Sequence, residues 1–275
     1  MTVQCERCFH RCRLEEGRTG ACRTRANRGG ELVSLSYGKL TGVALDPIEK
    51  KPLARFHPGS MILSVGSFGC NLRCPFCQNH EISMAEEGEA PEEELSPELL
   101  ADLAVRLRPR GNIGVAYTYN EPLMNYEYVR DTAALIRERG LYNVLVSNGT
   151  VSEADWLALL PLLDAANIDL KGFTPDWYRR LGGDLDTVKR SITLAAGHIH
   201  LEIATLIVPG ENDSPQEMEA LAGWISSLDR RIPLHVSRFF PCYAMSDRRP
   251  TPVERVYALA EIAREYLDYV YTGNC

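Results

Sequence analysis

The chain has 275 residues, of which 45% are hydrophobic and 24% charged, and its formal net charge is −7 at pH 7. These values are typical of a globular protein with a sizeable core, and the net acidity argues against nucleic acid as the main partner. The sequence contains no run of about 18 apolar residues, so no membrane span is expected. Nine cysteines, seven of them in two short stretches, are typical of metal ligands in a reducing compartment, which predicts a cytoplasmic protein.

The first predicted unit is a cysteine-rich module in residues 1–30. A segment this short and glycine-rich buries too little surface to fold alone, so a metal ion or cluster is expected to organise it. Four cysteines make a closed site, which fits structural zinc or a fully ligated iron–sulfur cluster, and the spacing is compatible with both. The four residues are Cys5, Cys8, Cys12 and Cys22.

Residues 31–60 are predicted to connect this module to a main domain in residues 61–275. Six short apolar runs, each followed by an amphipathic helical stretch, indicate a parallel sheet with right-handed crossovers. A complete eight-unit barrel typically needs about 250 residues. The sequence therefore predicts an α/β fold, a partial (β/α)6 TIM-like barrel with a small cysteine-rich N-terminal module. The predicted strands are residues 61–65, 113–117, 143–147, 166–170, 200–208 and 233–239, with a further strand expected in residues 268–271.

Three cysteines, Cys70, Cys74 and Cys77, follow the first of these strands within eight residues. A cubane cluster is normally held by four cysteines, so three local ones leave one iron open. Catalytic metal sites keep such an open position for substrate or cofactor. A structural zinc site completed by His80, or a disulfide with a spare thiol, are the alternatives.

The spacing Cys70-x3-Cys74-x2-Cys77, with Phe76 before the last cysteine, resembles the signature of the radical S-adenosylmethionine (SAM) superfamily. The resemblance implies a [4Fe-4S] cluster on the three cysteines, with S-adenosylmethionine on the open iron. It also implies an electron passed to the sulfonium, release of methionine, and a 5'-deoxyadenosyl radical that abstracts hydrogen. A flavodoxin or ferredoxin is expected as the reductant, because no flavin- or nicotinamide-binding glycine fingerprint is visible.

Polar residues lie at the predicted strand ends, where barrel-type folds gather their functional groups. Glu121 follows the second strand and Asn148 the third, while Asp169 and Lys171 end the fourth. Taken alone, Glu121 is a helix-start acid favoured by the dipole, and Asp169 and Lys171 form an ion pair on one strand face. Their coincidence at neighbouring strand ends favours a polar ligand pocket.

These elements, with His235 on the sixth strand, resemble the pyruvate formate-lyase activating enzyme branch of the superfamily. Tyr119-Asn120-Glu121-Pro122 occupies the position of a Gly-Gly-Glu-Pro element, with Tyr119 and Asn120 in place of the two glycines. Over nearly the whole chain the sequence is closer still to the radical SAM member of the AmmeMemoRadiSam system. The resemblance implies that Phe76 lies against the adenine, that Glu121 takes the methionine amine, and that the rest of the cofactor contacts Asn148, Asp169, Lys171 and His235.

Two classes of function follow from these patterns. The first is a radical SAM enzyme, which activates a partner protein by glycyl radical formation or modifies a small molecule, protein or RNA. The second is a non-catalytic zinc-binding interaction protein with two cysteine modules. This second hypothesis predicts zinc in both cysteine sites and tolerance of substitution at Glu121 and Lys171.

Overall fold

The computed structural model describes residues 1–275. Its N-terminal segment holds two small antiparallel hairpins, β1 (Val3–Gln4) with β2 (Arg13–Leu14) and β3 (Arg25–Arg28) with β4 (Glu31–Ser34). The other strands are β5 Lys39–Leu40, β6 Gly42–Pro47, β7 Met61–Gly66, β8 Glu93–Glu94, β9 Asn112–Tyr117, β10 Tyr142–Ser147, β11 Ala165–Asp169, β12 His200–Ile207, β13 Leu234–Arg238 and β14 Val270–Gly273.

The main sheet has eight strands in the order β14-β13-β12-β11-β10-β9-β7-β6. Neighbouring strands from β7 to β14 are parallel, and β6 pairs with β7 in the antiparallel direction. The six predicted strands correspond to β7 and β9–β13, which confirms the α/β partial barrel. Strand β6 lies in the predicted connecting segment, so part of that segment belongs to the main sheet. The division of the chain into domains at residues 30 and 60 stays a prediction.

Helices cover the outside of the sheet and follow their capping signals. Ser96, Ser152 and Ser214 each accept a hydrogen bond from a backbone N–H of the first helical turn, and such a cap contributes about 1 kcal/mol. No helix has both the length and the apolar character needed to cross a bilayer. The helices are α1 His80–Ser83, α2 Pro97–Arg106, α3 Tyr126–Glu138, α4 Glu153–Leu159, α5 Pro175–Arg180, α6 Leu185–Ala195, α7 Pro215–Asp229 and α8 Val253–Arg264.

The segment between β6 and β7 packs near the amino ends of the parallel strands. Ile48, Leu53 and Phe56 are buried there in one apolar cluster with residues of the sheet. The backbone N–H groups of Ala54 and Arg55 donate to the Glu202 carboxylate on β12. This end of the barrel is therefore closed by the chain itself, which leaves the carboxyl ends of the strands for a site.

Candidate active site

The three-cysteine loop begins where β7 ends, and Asn120 holds its first residues in place. The Asn120 side-chain amide donates to the carbonyls of Phe68 (3.0 Å) and Gly69 (2.9 Å), and its oxygen accepts from the N–H of Ser67 (3.0 Å). Farther along, the Arg73 N–H donates to the Leu181 carbonyl at 2.7 Å. The loop is therefore anchored to the barrel on both sides of Cys70.

All three cysteines of this loop line one cavity of about 370 Å³. The Cys70 thiol accepts from the Leu72 N–H (3.4 Å) and from the Asn148 amide (3.7 Å). Burial raises the pKa of Cys70, and it raises the pKa of Cys74 to about 11. Iron lowers the pKa of a coordinating thiol, and three soft sulfur donors on a short loop beside a cavity are a donor set that fits an iron–sulfur cluster with one open iron.

The same cavity brings together five of the six residues expected to contact the cofactor. Phe76 lies on the three-cysteine loop, and its ring stacks on Trp177 with centroids 5.9 Å apart. Trp177 in turn donates its indole N–H to the Lys171 carbonyl at 2.8 Å. The five residues are Phe76, Glu121, Asn148, Asp169 and Lys171.

The Glu121 carboxylate is buried at the edge of the cavity and is not fully satisfied by the protein. Its Oε1 accepts from the Leu123 N–H (3.0 Å) and the Ser147 hydroxyl (2.8 Å), whereas Oε2 accepts only from the Asn148 N–H (2.7 Å). Burial raises the pKa of Glu121 to about 7 against the lowering effect of these bonds, with a further contribution from Asp169. A cationic ligand group in the cavity can therefore pair with Oε2.

Asp169 and Lys171 form the ion pair expected from their strand spacing, with Lys171 Nζ 2.8 Å from Asp169 Oδ2. Burial by itself lowers the pKa of Lys171, but the charges of Asp169 and Cys74 outweigh it and hold that pKa above its ordinary value. The ammonium group is therefore charged at neutral pH. The two side chains of this ion pair also line the cavity, and their contact with the cofactor stays a prediction.

His235 is the one expected cofactor contact that does not line this cavity. It lies near the start of β13, and its Nε2 is 2.6 Å from Oε2 of Glu202, at the closed amino end of the barrel. The sequence placed His235 correctly on a strand. The residue lies near the amino end of that strand, however, whereas the cavity lies at the carboxyl ends.

Sequence reasoning assigned no role to Tyr119, Lys51 or Asp46, which form one group beside the cavity. Tyr119 and Lys51 are part of the cavity wall. The Tyr119 hydroxyl donates to Asp46 Oδ2 (2.8 Å), which also pairs with Lys51 Nζ (2.8 Å). Tyr119 has a left-handed backbone (φ 72°), and a Cβ at Gly66 would lie 2.8 Å from its ring carbon and Cβ. The lysines that follow Asp46 were the available signal, but Tyr119, which donates to the same carboxylate, is 73 residues away from Asp46 in the chain.

The N-terminal cysteine module packs against the three-cysteine loop. His10 Nε2 lies 2.8 Å from the carbonyl of Asn71, and Arg23 donates to the carbonyl of Cys70 at 3.4 Å. Burial, with a smaller contribution from the nearby Cys22, raises the pKa of Cys8 to about 11. The two cysteine sets are therefore neighbours in the fold although they are separated in the sequence.

The family model of the radical SAM superfamily matches residues 64–224, which is more than half of the chain. The protein belongs to the radical SAM superfamily. An uncharacterized protein of Methanocaldococcus jannaschii is 40% identical over 99% of this chain and 81% of its own length. The pyruvate formate-lyase-activating enzyme of Clostridium pasteurianum is 28% identical over 58% of this chain and 67% of its own length.

Solved structures show the same fold. Streptococcus suis SuiB bound to S-adenosylmethionine superposes with a TM-score of 0.61 at 12% identity, over 78% of this chain and 52% of SuiB. Together with family membership, these relatives confirm the resemblance to the activating-enzyme-like branch, and they establish an enzyme whose cofactors are a [4Fe-4S] cluster and S-adenosylmethionine. The hypothesis of a non-catalytic interaction protein does not hold. The narrower similarity to the AmmeMemoRadiSam member stays a resemblance.

Proposed function

We propose that Cys70, Cys74 and Cys77 hold the catalytic [4Fe-4S] cluster and that the enzyme activates a partner protein by forming a glycyl radical. The observation that carries the first part is that the three thiols share one cavity with the polar residues of the strand ends. When bound, the cluster supplies one electron for the reductive cleavage of S-adenosylmethionine to methionine and a 5'-deoxyadenosyl radical, which abstracts hydrogen.

In this proposal the residues of the chain position the cofactor by charge and shape. Glu121 Oε2, with its single protein donor, takes the methionine ammonium group. The Lys171 ammonium attracts the carboxylate, and Phe76, backed by Trp177, lies against the adenine. Asn148 links two parts of the site, because its N–H donates to Glu121 and its side-chain amide to Cys70 Sγ.

A protein substrate is supported by the surface beside the three-cysteine loop. Cys242 donates its S–H to the Cys77 carbonyl at 3.6 Å, and the Tyr243 ring stacks on His80. This segment presents Phe240 and Tyr243 to solvent, 40% and 43% exposed. Exposed aromatic residues at the rim of a cavity are typical of surfaces that bind proteins, and the pyruvate formate-lyase-activating enzyme relatives are named for the activation of a protein.

A reducing, cytoplasmic setting with flavodoxin or ferredoxin as the electron donor completes the proposal. None of the nine cysteines forms a disulfide, as is usual for proteins of a reducing compartment. The donor is external because the chain shows no glycine fingerprint for a flavin or nicotinamide.

The experiment that tests the catalytic site is anaerobic reconstitution followed by reduction with dithionite in the presence of S-adenosylmethionine. The wild type and a Cys275→Ala control, whose thiol is exposed, are expected to form 5'-deoxyadenosine. The Cys70→Ala/Cys74→Ala/Cys77→Ala triple variant is expected to form none above background. Product formation by the triple variant at the wild-type rate would show that another site cleaves the cofactor.

The experiment that tests the substrate uses purified proteins encoded by the genes beside this one. Each is incubated anaerobically with the reduced enzyme and S-adenosylmethionine, and the mixture is frozen for electron paramagnetic resonance. A glycyl radical doublet that depends on enzyme and cofactor is the expected result. Deoxyadenosine release that is stimulated by a metabolite extract, with no protein radical from any of these partners, would instead indicate a small-molecule substrate.

A further inference from the structure

The four cysteines of the N-terminal module lie in one small unit whose backbone brings them together. The Cys5 N–H donates to the Cys12 carbonyl at 2.9 Å. The Cys12 thiol accepts from the Ala21 N–H at 3.5 Å, and the Cys22 thiol accepts from the Thr24 hydroxyl at 3.3 Å. Hydrogen bonds to the sulfurs are one of the ways in which proteins tune iron–sulfur centres.

This unit touches the three-cysteine loop immediately before Cys70. Gly69 has a left-handed backbone (φ 78°), and a Cβ there would lie only 2.5 Å from the Cys22 carbonyl oxygen and from the Thr24 methyl group. The absence of a side chain at Gly69 thus lets the backbone that carries Cys22 pack directly on the loop. A residue bonded to Cys70 is in van der Waals contact with a residue of the second cysteine set.

Side chains from the module reach the same loop at two further points. Arg23, which follows Cys22, donates to the Cys70 carbonyl. His10, which lies between Cys8 and Cys12, contacts the carbonyl of Asn71. A purely structural metal needs no connection to the catalytic loop, whereas a redox centre is useful only if it is close to the group that it reduces.

The four thiols of the module are also a chemically suitable donor set for a cluster. A fully ligated cubane is normally held by four cysteines, each of which binds a different iron, and the module supplies four, Cys5, Cys8, Cys12 and Cys22.

We infer that Cys5, Cys8, Cys12 and Cys22 hold a second iron–sulfur cluster and that electrons enter the catalytic centre through it. One electron leaves an external one-electron donor, a reduced flavodoxin or ferredoxin, which is thereby oxidised. Cys5, Cys8, Cys12 and Cys22 would hold the centre that receives this electron, and the Cys22–Gly69 contact would provide its route to the centre held by Cys70, Cys74 and Cys77, where it would serve the reductive cleavage of S-adenosylmethionine. The relay rests on the proposed function, but the identity of the N-terminal centre does not.

The first test is the metal content of the anaerobically reconstituted full chain. About eight irons and eight sulfides per chain are expected for the wild type and about four of each for the Cys70→Ala/Cys74→Ala/Cys77→Ala variant, because each cubane holds four. After reduction, the variant should still give the electron paramagnetic resonance signal of a reduced cluster, and this result does not depend on cleavage of S-adenosylmethionine. One zinc per wild-type chain with iron for a single cluster overturns the inference, and so does a folded triple variant without iron.

The second test separates the relay from a structural role by changing the electron donor. Cys12→Ser alters the least buried ligand of the set, and Cys275→Ser is the matched control. With reduced flavodoxin, deoxyadenosine formation by Cys12→Ser should fall by at least an order of magnitude, whereas with dithionite, which reaches the catalytic centre directly, it should stay near the wild-type rate. An equal loss with both donors, or no loss with either, contradicts the relay.

Discussion

Two buried glutamates at opposite ends of the barrel differ in how completely the protein satisfies them. At the amino end, Glu202 accepts four hydrogen bonds, two on each oxygen, from Ala54 N, Arg55 N, His200 and His235. At the carboxyl end, Glu121 accepts three and borders the cavity. The first carboxylate joins parts of the fold, and the second retains an acceptor position for a ligand.

The protonation equilibria of the two side chains follow the same difference. Burial opposes ionisation at both positions. At Glu202 the histidines and backbone N–H groups outweigh burial and hold the pKa at about 2, whereas at Glu121 burial prevails and the pKa rises to about 7. The balance between desolvation and donors thus decides whether a buried acid stabilises the fold or stays available for binding.

The largest expected effect is on stability, from Glu202→Gln. In the wild type both oxygens of Glu202 accept hydrogen bonds, whereas the glutamine side chain turns an NH2 group toward two of the same donors. Breaking one partner of a buried charged network costs about 3 kcal/mol. The free energy of unfolding, measured with urea, should fall by this amount, and the affinity for S-adenosylmethionine should not change. Glu219→Gln, at an exposed position, is the matched control. A variant as stable as the wild type would show that the four donors contribute little.

The next expected effect is a loss of folding stability in acid. The lowering of the Glu202 pKa from 4.5 to about 2 contributes a few kcal/mol to the free energy of unfolding at neutral pH. Because the folded pKa of Glu202 is below its ordinary value of 4.5, its contribution is present above pH 4.5 and is lost as the pH falls toward 2. Asp46 also has a lowered pKa of about 2 and shares this window. The difference between the wild type and Glu202→Gln in urea titrations from pH 6 to 3 isolates the Glu202 contribution, and this difference should shrink as the pH falls. A pH-independent difference would contradict the assignment.

Much of this architecture could be predicted from local sequence. The alternation of apolar strands with amphipathic helices indicated six of the barrel strands, and the strand period placed Asp169 and Lys171 on one face, where they do form an ion pair. The positions of Glu121 and Asn148 after their strands were enough to place them together at a cavity, because the carboxyl ends of parallel strands meet at one edge.

Features that depend on distant partners could not be predicted in this way. Glu202 is bound by N–H groups 147 and 148 residues earlier in the chain, in a segment that reads as a simple connection. The left-handed backbone of Tyr119 is a position where glycine is usual, and its side chain is accommodated only because Gly66 leaves room for it. No local sequence pattern predicts that a distant glycine leaves room for a particular side chain.

At the other end of the barrel, Glu121→Gln should lower the affinity for S-adenosylmethionine about tenfold, or about 1.4 kcal/mol, because an ammonium ligand loses its counter-charge. In the wild type the affinity should rise as the pH increases through about 7, where the raised pKa makes Glu121 ionise. The variant should bind with the same affinity on both sides of pH 7. Calorimetric titration of the anaerobically reconstituted protein from pH 6 to 8, with Glu219→Gln as control, measures both effects, and an unchanged pH profile in Glu121→Gln would assign the titration to another group.

The smallest expected effect comes from Tyr119→Phe, which tests whether the Tyr119 hydroxyl has a structural role or a role in ligand binding. The substitution removes the hydroxyl bond to Asp46 but keeps the ring against Gly66 and beneath the Lys51 ammonium, which lies 4.7 Å from the ring centroid. Losing one hydrogen bond costs about 1 kcal/mol, and Lys51 still pairs with Asp46, so the carboxylate keeps the strongest of the side-chain bonds that lower its pKa.

The free energy of unfolding of Tyr119→Phe should therefore fall by about 1 kcal/mol, while dithionite-driven deoxyadenosine formation stays near the wild-type rate. Tyr257→Phe, at an exposed helical position, is the control for removal of a phenol hydroxyl. Although Tyr119 borders the cavity, its hydroxyl is directed to Asp46, so this bond belongs to the structural end of the comparison. A loss of cofactor cleavage without a loss of stability would move Tyr119 to the ligand-binding end and make the Asp46–Lys51 pair part of the substrate site.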